Sequence, residues 1–248
     1  MLDIIPHGDV VELQMNRPPA NALNHALLEA LLSACATSVE AGARGLILSG
    51  REGMFCAGID VPELLGQDRA SIHRFWSLLF NADRALASSA VPVVAAIAGH
   101  SPAGGAVLAA HCDYRIAAEE NFKIGFNEVQ VGLPLPRSIM STFSDLVGNR
   151  TARRLGMEGR LISMDEAREV GLVDELVPQD QVVPRAIEYL DGLLRLPPIA
   201  MNRTRLIGKS QLLDVLADEG DVETTTENWF SDETQDAMQA LVKSLKKD

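Results

Sequence analysis

The sequence predicts an α/β fold, and three observations carry that prediction. Apolar runs of strand length alternate with runs of helical periodicity over the N-terminal half. Turns rich in glycine and proline separate them. Beyond about Pro178 the strand signal stops and helical stripes take over. A chain of 248 residues, 47% of them hydrophobic, holds enough apolar material for one large core, or a core with an appendage.

The elements follow in order. Val10–Met15 reads as a strand and Asn16-Arg17-Pro18-Pro19 as the turn that ends it. Leu27, Leu31, Cys35 and Val39 recur every four residues, which marks a helix. Asn24 is its N-cap and Gly42 its stop. Gly45–Gly50 is a buried strand. Ile72, Phe75, Trp76, Leu79 and Leu86 form the apolar face of a helix from about Arg69 to Ser88. Val93–Ala98 is a second buried strand, and Ala106–Ala110 begins another helix. Tyr114–Ala117 and Val129–Val131 read as shorter strands. Ile187, Leu190, Leu193 and Leu194 make a helical stripe that Pro197-Pro198 breaks, and further helices fill Ile199 to Lys247.

Charge and cysteine narrow the function. The formal net charge is −12, which argues against a nucleic-acid partner. Nine acids between Asp214 and Asp236, with no Lys or Arg among them, carry most of that excess and read as a solvated helical face. The remainder is close to neutral, so an anionic small ligand remains compatible. Cys35, Cys56 and Cys112 form no Cys-x-x-Cys pair, which fits a reducing, cytoplasmic setting. The N-terminus reads as no signal peptide. The uncharged stretch Ala85–Cys112 is too interrupted by proline and glycine for a transmembrane helix. No membrane partner is expected. His25, His73 and His111 have no ligand spacing, so no metal is expected.

Three short segments carry candidate chemistry. Met54–Asp60 and Ala98–Gly105 are glycine turns after buried strands, and the second opens a helix whose free N–H groups carry the positive end of the dipole. Together they can offer two donors to one carbonyl oxygen; ordinary tight turns are the alternative. Gly99-His100-Ser101-Pro102-Ala103 mimics a nucleophile elbow. However, Pro102 lacks the N–H such an elbow needs, and no acid lies between Ser101 and His111. In the third segment, Ile124–Val129, Glu128 is a lone carboxylate among apolar residues. Burial there would raise its pKa and make it a base near neutral pH; a solvent-facing strand end is the alternative.

These segments in this order resemble the crotonase superfamily, the enoyl-CoA hydratase/isomerase family. The resemblance spans nearly the whole chain. It includes Asn16-Arg17-Pro18, Asn21-Ala22-Leu23-Asn24, Phe55-Cys56-Ala57-Gly58-Ile59-Asp60, Gly104-Gly105, Cys112–Ile116, Glu166-Ala167 and Gly171–Asp174. Ala98–Gly105 and Ile124–Gly132 are most similar to mitochondrial-type Δ3,Δ2-enoyl-CoA isomerases. The resemblance implies a ββα spiral core over 1–195 and a C-terminal helical oligomerisation region over 196–248, assembled as a homotrimer or dimer of trimers. It implies Ala57 and Gly104 as oxyanion donors and Glu128 as the acid/base. Ala57, Gly58, Ile59, Asp60, Val61 and Asn127 would line an acyl-CoA thioester, with no cofactor beyond the CoA of the substrate.

Two departures point to isomerisation. The second glutamate of the hydratase pattern would fall three residues after Gly104, where Val107 stands. Leu135-Pro136-Arg137-Ser138 replaces the hydratases' glycine-rich run. Hydration uses two carboxylates, whereas one base can take an α proton and return it at the γ carbon. A hydratase, another acyl-CoA enzyme and a non-catalytic acyl-CoA binder remain alternatives. Among the other residues, Cys56 reads as a buried small side chain, Asp60 as a local cap and His100 as a loop residue. Arg17, Lys243, Lys246 and Lys247 are candidate contacts for CoA phosphates. Phe75, Trp76, Leu79 and Leu133 are candidates for the acyl pocket. Trp229 and Phe230 read as helix packing or a subunit interface.

Overall fold

A computed structural model describes residues 1–245. In chain order the elements are β1 (Leu2–His7), β2 (Val10–Met15), α1 (His25–Glu40), β3 (Gly45–Ser49), β4 (Gly53–Met54), α2 (Val61–Leu64), α3 (Arg69–Ala87), β5 (Val93–Ile97), β6 (Gly99–Pro102), α4 (Gly104–His111), β7 (Tyr114–Ala118) and β8 (Lys123–Gly125). There follow α5 (Arg137–Val147), α6 (Asn149–Glu158), β9 (Ile162–Ser163), α7 (Met164–Val170), β10 (Glu175–Val177), α8 (Val182–Leu194), α9 (Pro198–Gly208), α10 (Ser210–Leu216), α11 (Gly220–Trp229) and α12 (Asp232–Leu245).

Strands alternate between two sheets. The larger runs β1-β2-β3-β5-β7-β10 and is parallel except at the β1–β2 edge. The smaller runs β4-β6-β8-β9. Each of β3, β5 and β7 feeds the next strand into the small sheet, and helices then return the chain. That is the expected ββα spiral. β3 and β5 are buried throughout because both faces of a parallel sheet are covered. Leu46, Leu48, Val93, Ala95 and Ile97 face the main core, while Ile47, Val94 and Ala96 face α8. That is the period of two expected of strands.

Asn24 caps α1 by accepting from Leu27 N at 2.9 Å. The helix ends at Glu40, two residues before Gly42, whose φ is +101°. One expected strand is corrected: residues 128–131 form a 3-10 turn. Gly132, at φ +74°, reverses the chain there, so the β-branched pair Val129 and Val131 cannot extend.

The C-terminal helices share the main core. Trp229 stands edge-on to Trp76 with ring centroids 6.0 Å apart, and both are buried. Each such ring removes roughly 150–250 Å² from water, on the order of 5 kcal/mol before entropy. Phe230 is 38% exposed and α9 buries none of its residues, with Ile199 and Ile207 more than two-thirds exposed. Among the described residues, no helix is long and apolar enough to cross a membrane.

Candidate active site

The first glycine turn is braced from beneath by Asn21. Buried at φ +53°, Asn21 accepts from Arg17 N at 2.8 Å and donates to the Met54 and Phe55 carbonyls at 3.2 and 3.0 Å. Asparagine tolerates that left-handed backbone better than most residues. The loop above is then stitched by main-chain bonds: Leu23 N to Gly58 O at 2.7 Å and Asp60 N to Leu23 O at 2.8 Å. Asp60 caps α2 by accepting from Glu63 N at 3.0 Å, as expected of a local cap.

Those bonds correct one assignment. Ala57 N–H already donates to Ala20 O at 3.0 Å, so it is not an available donor. The Ile59 N–H, two residues on, has no partner among the described residues. Ile59 is only partly buried, so this unpartnered N–H is open to an acceptor from outside the chain. Arg17 is also engaged: it pairs with Asp60 and Glu63, each at 2.7 Å, and donates to Ala22 O. It braces the turn, with its guanidinium paired to carboxylates where a phosphate contact would need it free. Lys246 and Lys247 lie outside the described residues.

The second glycine turn enters α4 through Ala103, at φ +47° and ψ −120°. That conformation favours glycine and stores strain in an alanine. It is held by Ala103 N donating to Gly125 O at 2.8 Å. No side chain caps α4. The N–H groups of Gly104, Gly105 and Ala106 have no partner among the described residues, whereas Val107 N–H returns to Ala103 O. The two turns touch. A Cβ on Gly58 would stand 3.3 Å from Gly104 N, and one on Gly104 would stand 3.5 Å from Gly58 C, the atom bonded to Ile59 N. Glycine at both positions lets the two unpartnered N–H groups share one neighbourhood.

Glu128 arrives from the next strand. β8 pairs with β6 in parallel, and the Gly125 carbonyl receives the Ala103 N–H, which ties the Glu128 turn to the start of α4. Glu128 opens the 3-10 turn with its residue half-buried. Its Oε2 is sealed from solvent with no hydrogen-bond partner, and so is Oδ1 of Asn127 beside it. Burial pushes the Glu128 carboxyl up to about 7, against a smaller pull from its own backbone N–H. It is therefore poised between acid and base at neutral pH. Val107, where a second carboxylate would stand, is buried and apolar. Gly58 and Val61 are buried, the latter in the main core, while Ala57, Ile59, Asp60 and Asn127 remain partly accessible.

Other candidates take structural places. Burial pushes the Cys56 thiol up to about 12, so it is no nucleophile. His100 Nδ1 accepts from Lys123 N at 3.1 Å and holds β8. His111, at the end of α4, donates from Nδ1 to Val107 O at 2.8 Å and meets Thr142 Oγ1 at 2.9 Å. Its Nδ1 lies 3.4 Å from Asp83, but burial raises the Asp83 carboxyl well above its usual range and lowers His111 to about 4. Burial thus disfavours the charged form of both groups. Among the described residues, no three of His, Cys, Asp and Glu gather as a metal site. Asn21 is the functional brace that sequence reasoning missed; an asparagine between a proline-rich turn and a capped helix is the signal that points to it.

The chain is similar to known proteins along nearly its whole length. Residues 7–247 match the family described as enoyl-CoA hydratase/isomerase. The chain is 32% identical over 246 residues to the mitochondrial enoyl-CoA delta isomerase 1 of Rattus norvegicus, covering 96% of this chain and 84% of that protein. It is also 32% identical, over 188 residues, to a probable enoyl-CoA hydratase of Mycobacterium avium, covering 73% and 72%. The crystal structure of human mitochondrial delta3-delta2-enoyl-CoA isomerase superposes with a TM-score of 0.95 at 30% identity, covering 99% of this chain and 98% of that one.

Proposed function

The chain belongs to the enoyl-CoA hydratase/isomerase family, and from that premise we propose that it moves the double bond of a 3-enoyl-CoA thioester to the 2-trans position. The observation that carries this reading is the single sealed carboxylate, Glu128, with apolar Val107 in the place of a second. Hydration needs a water to be oriented and deprotonated while a proton reaches C2, work for two acid/base groups. Isomerisation needs one base and no water.

In the proposed sequence, Glu128 removes a proton from C2 of the bound 3-enoyl thioester. The C2–H electron pair forms the C1–C2 double bond of a dienolate as charge moves onto the thioester oxygen. The N–H groups of Ile59 and Gly104 receive that charge. The protonated Glu128 then delivers the same proton to C4, the C2–C3 double bond forms and the carbonyl returns. Loss of one such donor costs about 10²–10³ in rate, and a positioned acid/base contributes about 10²–10⁴. Asn127, next to the base with a sealed and unpartnered Oδ1, lines the acyl group alongside Ala57 to Asp60, while the Val61 side chain packs into the main core beneath them.

The exposed apolar side chains of α9 support assembly into a homotrimer or a dimer of trimers through residues 196–248. Three free buried cysteines support a reducing compartment. The test supplies 3-enoyl-CoA and 2-enoyl-CoA separately to the purified protein. Conversion of the first without hydration of the second is expected. Rapid hydration of 2-enoyl-CoA with no positional isomerisation overturns the reading, and binding without turnover marks a non-catalytic protein.

A further inference from the structure

We propose that Thr234 is a positioning residue for the proposed base, its hydroxyl fastening the C-terminal helix α12 to the turn that carries Glu128. The proposal rests on the isomerase reading above. Thr234 is fully buried, and its Oγ1 donates to the Gly132 carbonyl at 2.7 Å across 102 residues of chain. Ser231 caps α12: its Oγ accepts from Thr234 N at 3.3 Å and donates to Thr234 Oγ1 at 2.9 Å. Each hydroxyl has one proton, so the order of the chain is fixed. It runs from Thr234 N–H to Ser231, from Ser231 to Thr234, and from Thr234 to Gly132.

The far end of that chain leads to the base. Gly132 N–H donates back into the 3-10 turn, to the carbonyls of Glu128 and Val129, and Leu133 N donates to Glu128 O at 3.1 Å. Movement of Gly132 therefore moves the Glu128 backbone. The fit leaves no slack: at φ +74°, a Cβ on Gly132 would stand 3.0 Å from Thr234 Cα. The same helix packs against α2, which follows the Ile59 turn. One helix thus touches both sides of the site, and the segment beyond residue 196 takes part in catalysis through Glu128. Without the Thr234 hydroxyl, the turn would keep the Gln130 bond to Gly159 O but lose its tie to α12, and the sealed Oε2 would meet water.

Four variants test this in the full-length protein: Thr234→Val, Thr234→Ser, Ser231→Ala and Thr226→Val. Thr226 is the control, since it is also fully buried and, among the described residues, its hydroxyl serves only the Val222 carbonyl within α11. Thr234→Val is expected to lower kcat by about tenfold to a hundredfold, the effect of an ångström-scale misplacement, with KM within about threefold. It should also lower the acid midpoint of the rate profile. Thr234→Ser should restore both readouts, and Thr226→Val should leave both unchanged. A Thr234→Val protein that melts earlier but keeps its kcat and midpoint overturns the proposal. If Thr234→Val does not fold, Ser231→Ala decides by the same readouts. Carboxyl-carbon NMR of Glu128 separates the two readings. A wild-type protein without isomerase activity but with a Glu128 titration that moves in Thr234→Val refutes the isomerase reading and keeps the latch.

Discussion

The proposed donor wall, residues 55–60 and 103–106, is fastened by main-chain bonds and by Asn21. The turn carrying Glu128 is fastened by side chains, with Gln130 reaching Gly159 O at 2.7 Å and Thr234 reaching in to Gly132. The difference fits what the proposed mechanism asks of each wall. Dipoles stabilise a transient oxyanion only if they need no reorganisation when it forms, which calls for a rigid backbone. A base must be held near its proton and kept dry, and its strength is then set by desolvation.

The base wall breaks most simply. Glu128→Gln preserves shape and removes the proton acceptor, so turnover of 3-enoyl-CoA should fall by about 10²–10⁴ with an unchanged circular dichroism spectrum. Retained activity would remove Glu128 from the mechanism. On the donor wall, an ester in place of the peptide N–H at Ile59 should cost about 10²–10³ in kcat. The same change at Ala57 deletes only the bond to Ala20 O. It should lower stability by about 0.5–1.5 kcal/mol and leave kcat within tenfold. The reverse pattern would return the donor role to Ala57.

That pair of positions shows how far the sequence reaches. Alternating apolar runs located β3, β5 and the helices between them, because period and length are local properties. Ordered motifs single out Glu128, Gly104 and Val107, and in the fold Glu128 Oε2 is sealed, the Gly104 N–H is unpartnered and Val107 is buried. The choice between Ala57 and Ile59 was not legible in those motifs. It turns on which N–H finds a carbonyl, and the carbonyl of Ala20 comes from a segment that periodicity cannot place. The strands of the small sheet, two to four residues each, are too short to show a period. Val129 and Val131 favour a strand by side chain, but Gly132 and the return bonds to Glu128 O override that preference.

A smaller effect distinguishes the walls by pH. The Glu128 carboxyl rises from about 4.5 in the unfolded chain to about 7 in the native state. Activity should therefore rise with pH through a midpoint near 7 and fall about tenfold per unit below it, read from kcat/KM. Stability should move the opposite way. Between pH 4.5 and 7 the native state holds a proton that the unfolded state has lost, so stability declines as pH rises and the penalty is complete above 7. Glu128→Gln removes that penalty. The variant should gain melting temperature over the wild type at pH 8 and lose that advantage at pH 4.5.

The smallest effect tests whether the strain at Ala103 does anything for the donor wall. At φ +47° and ψ −120° a side chain costs about 1–3 kcal/mol, which glycine would relieve. Glycine at the same time loses about 0.5–1 kcal/mol in backbone entropy. The net expectation for Ala103→Gly is a stabilisation of about 1 kcal/mol, a rise of roughly 2–4 °C in melting temperature for a chain of this size. The alanine Cβ also lies where it would meet a Cβ on Gly58 at 3.0 Å, so it fills the seam between the two turns. If the Ala103 N–H bond to Gly125 O alone holds Gly104 in place, kcat should stay within about threefold of wild type. A variant that gains stability but loses more than tenfold in kcat would show that the methyl group wedges the two glycine turns into register. The strain would then serve the donor wall as the latch serves the base.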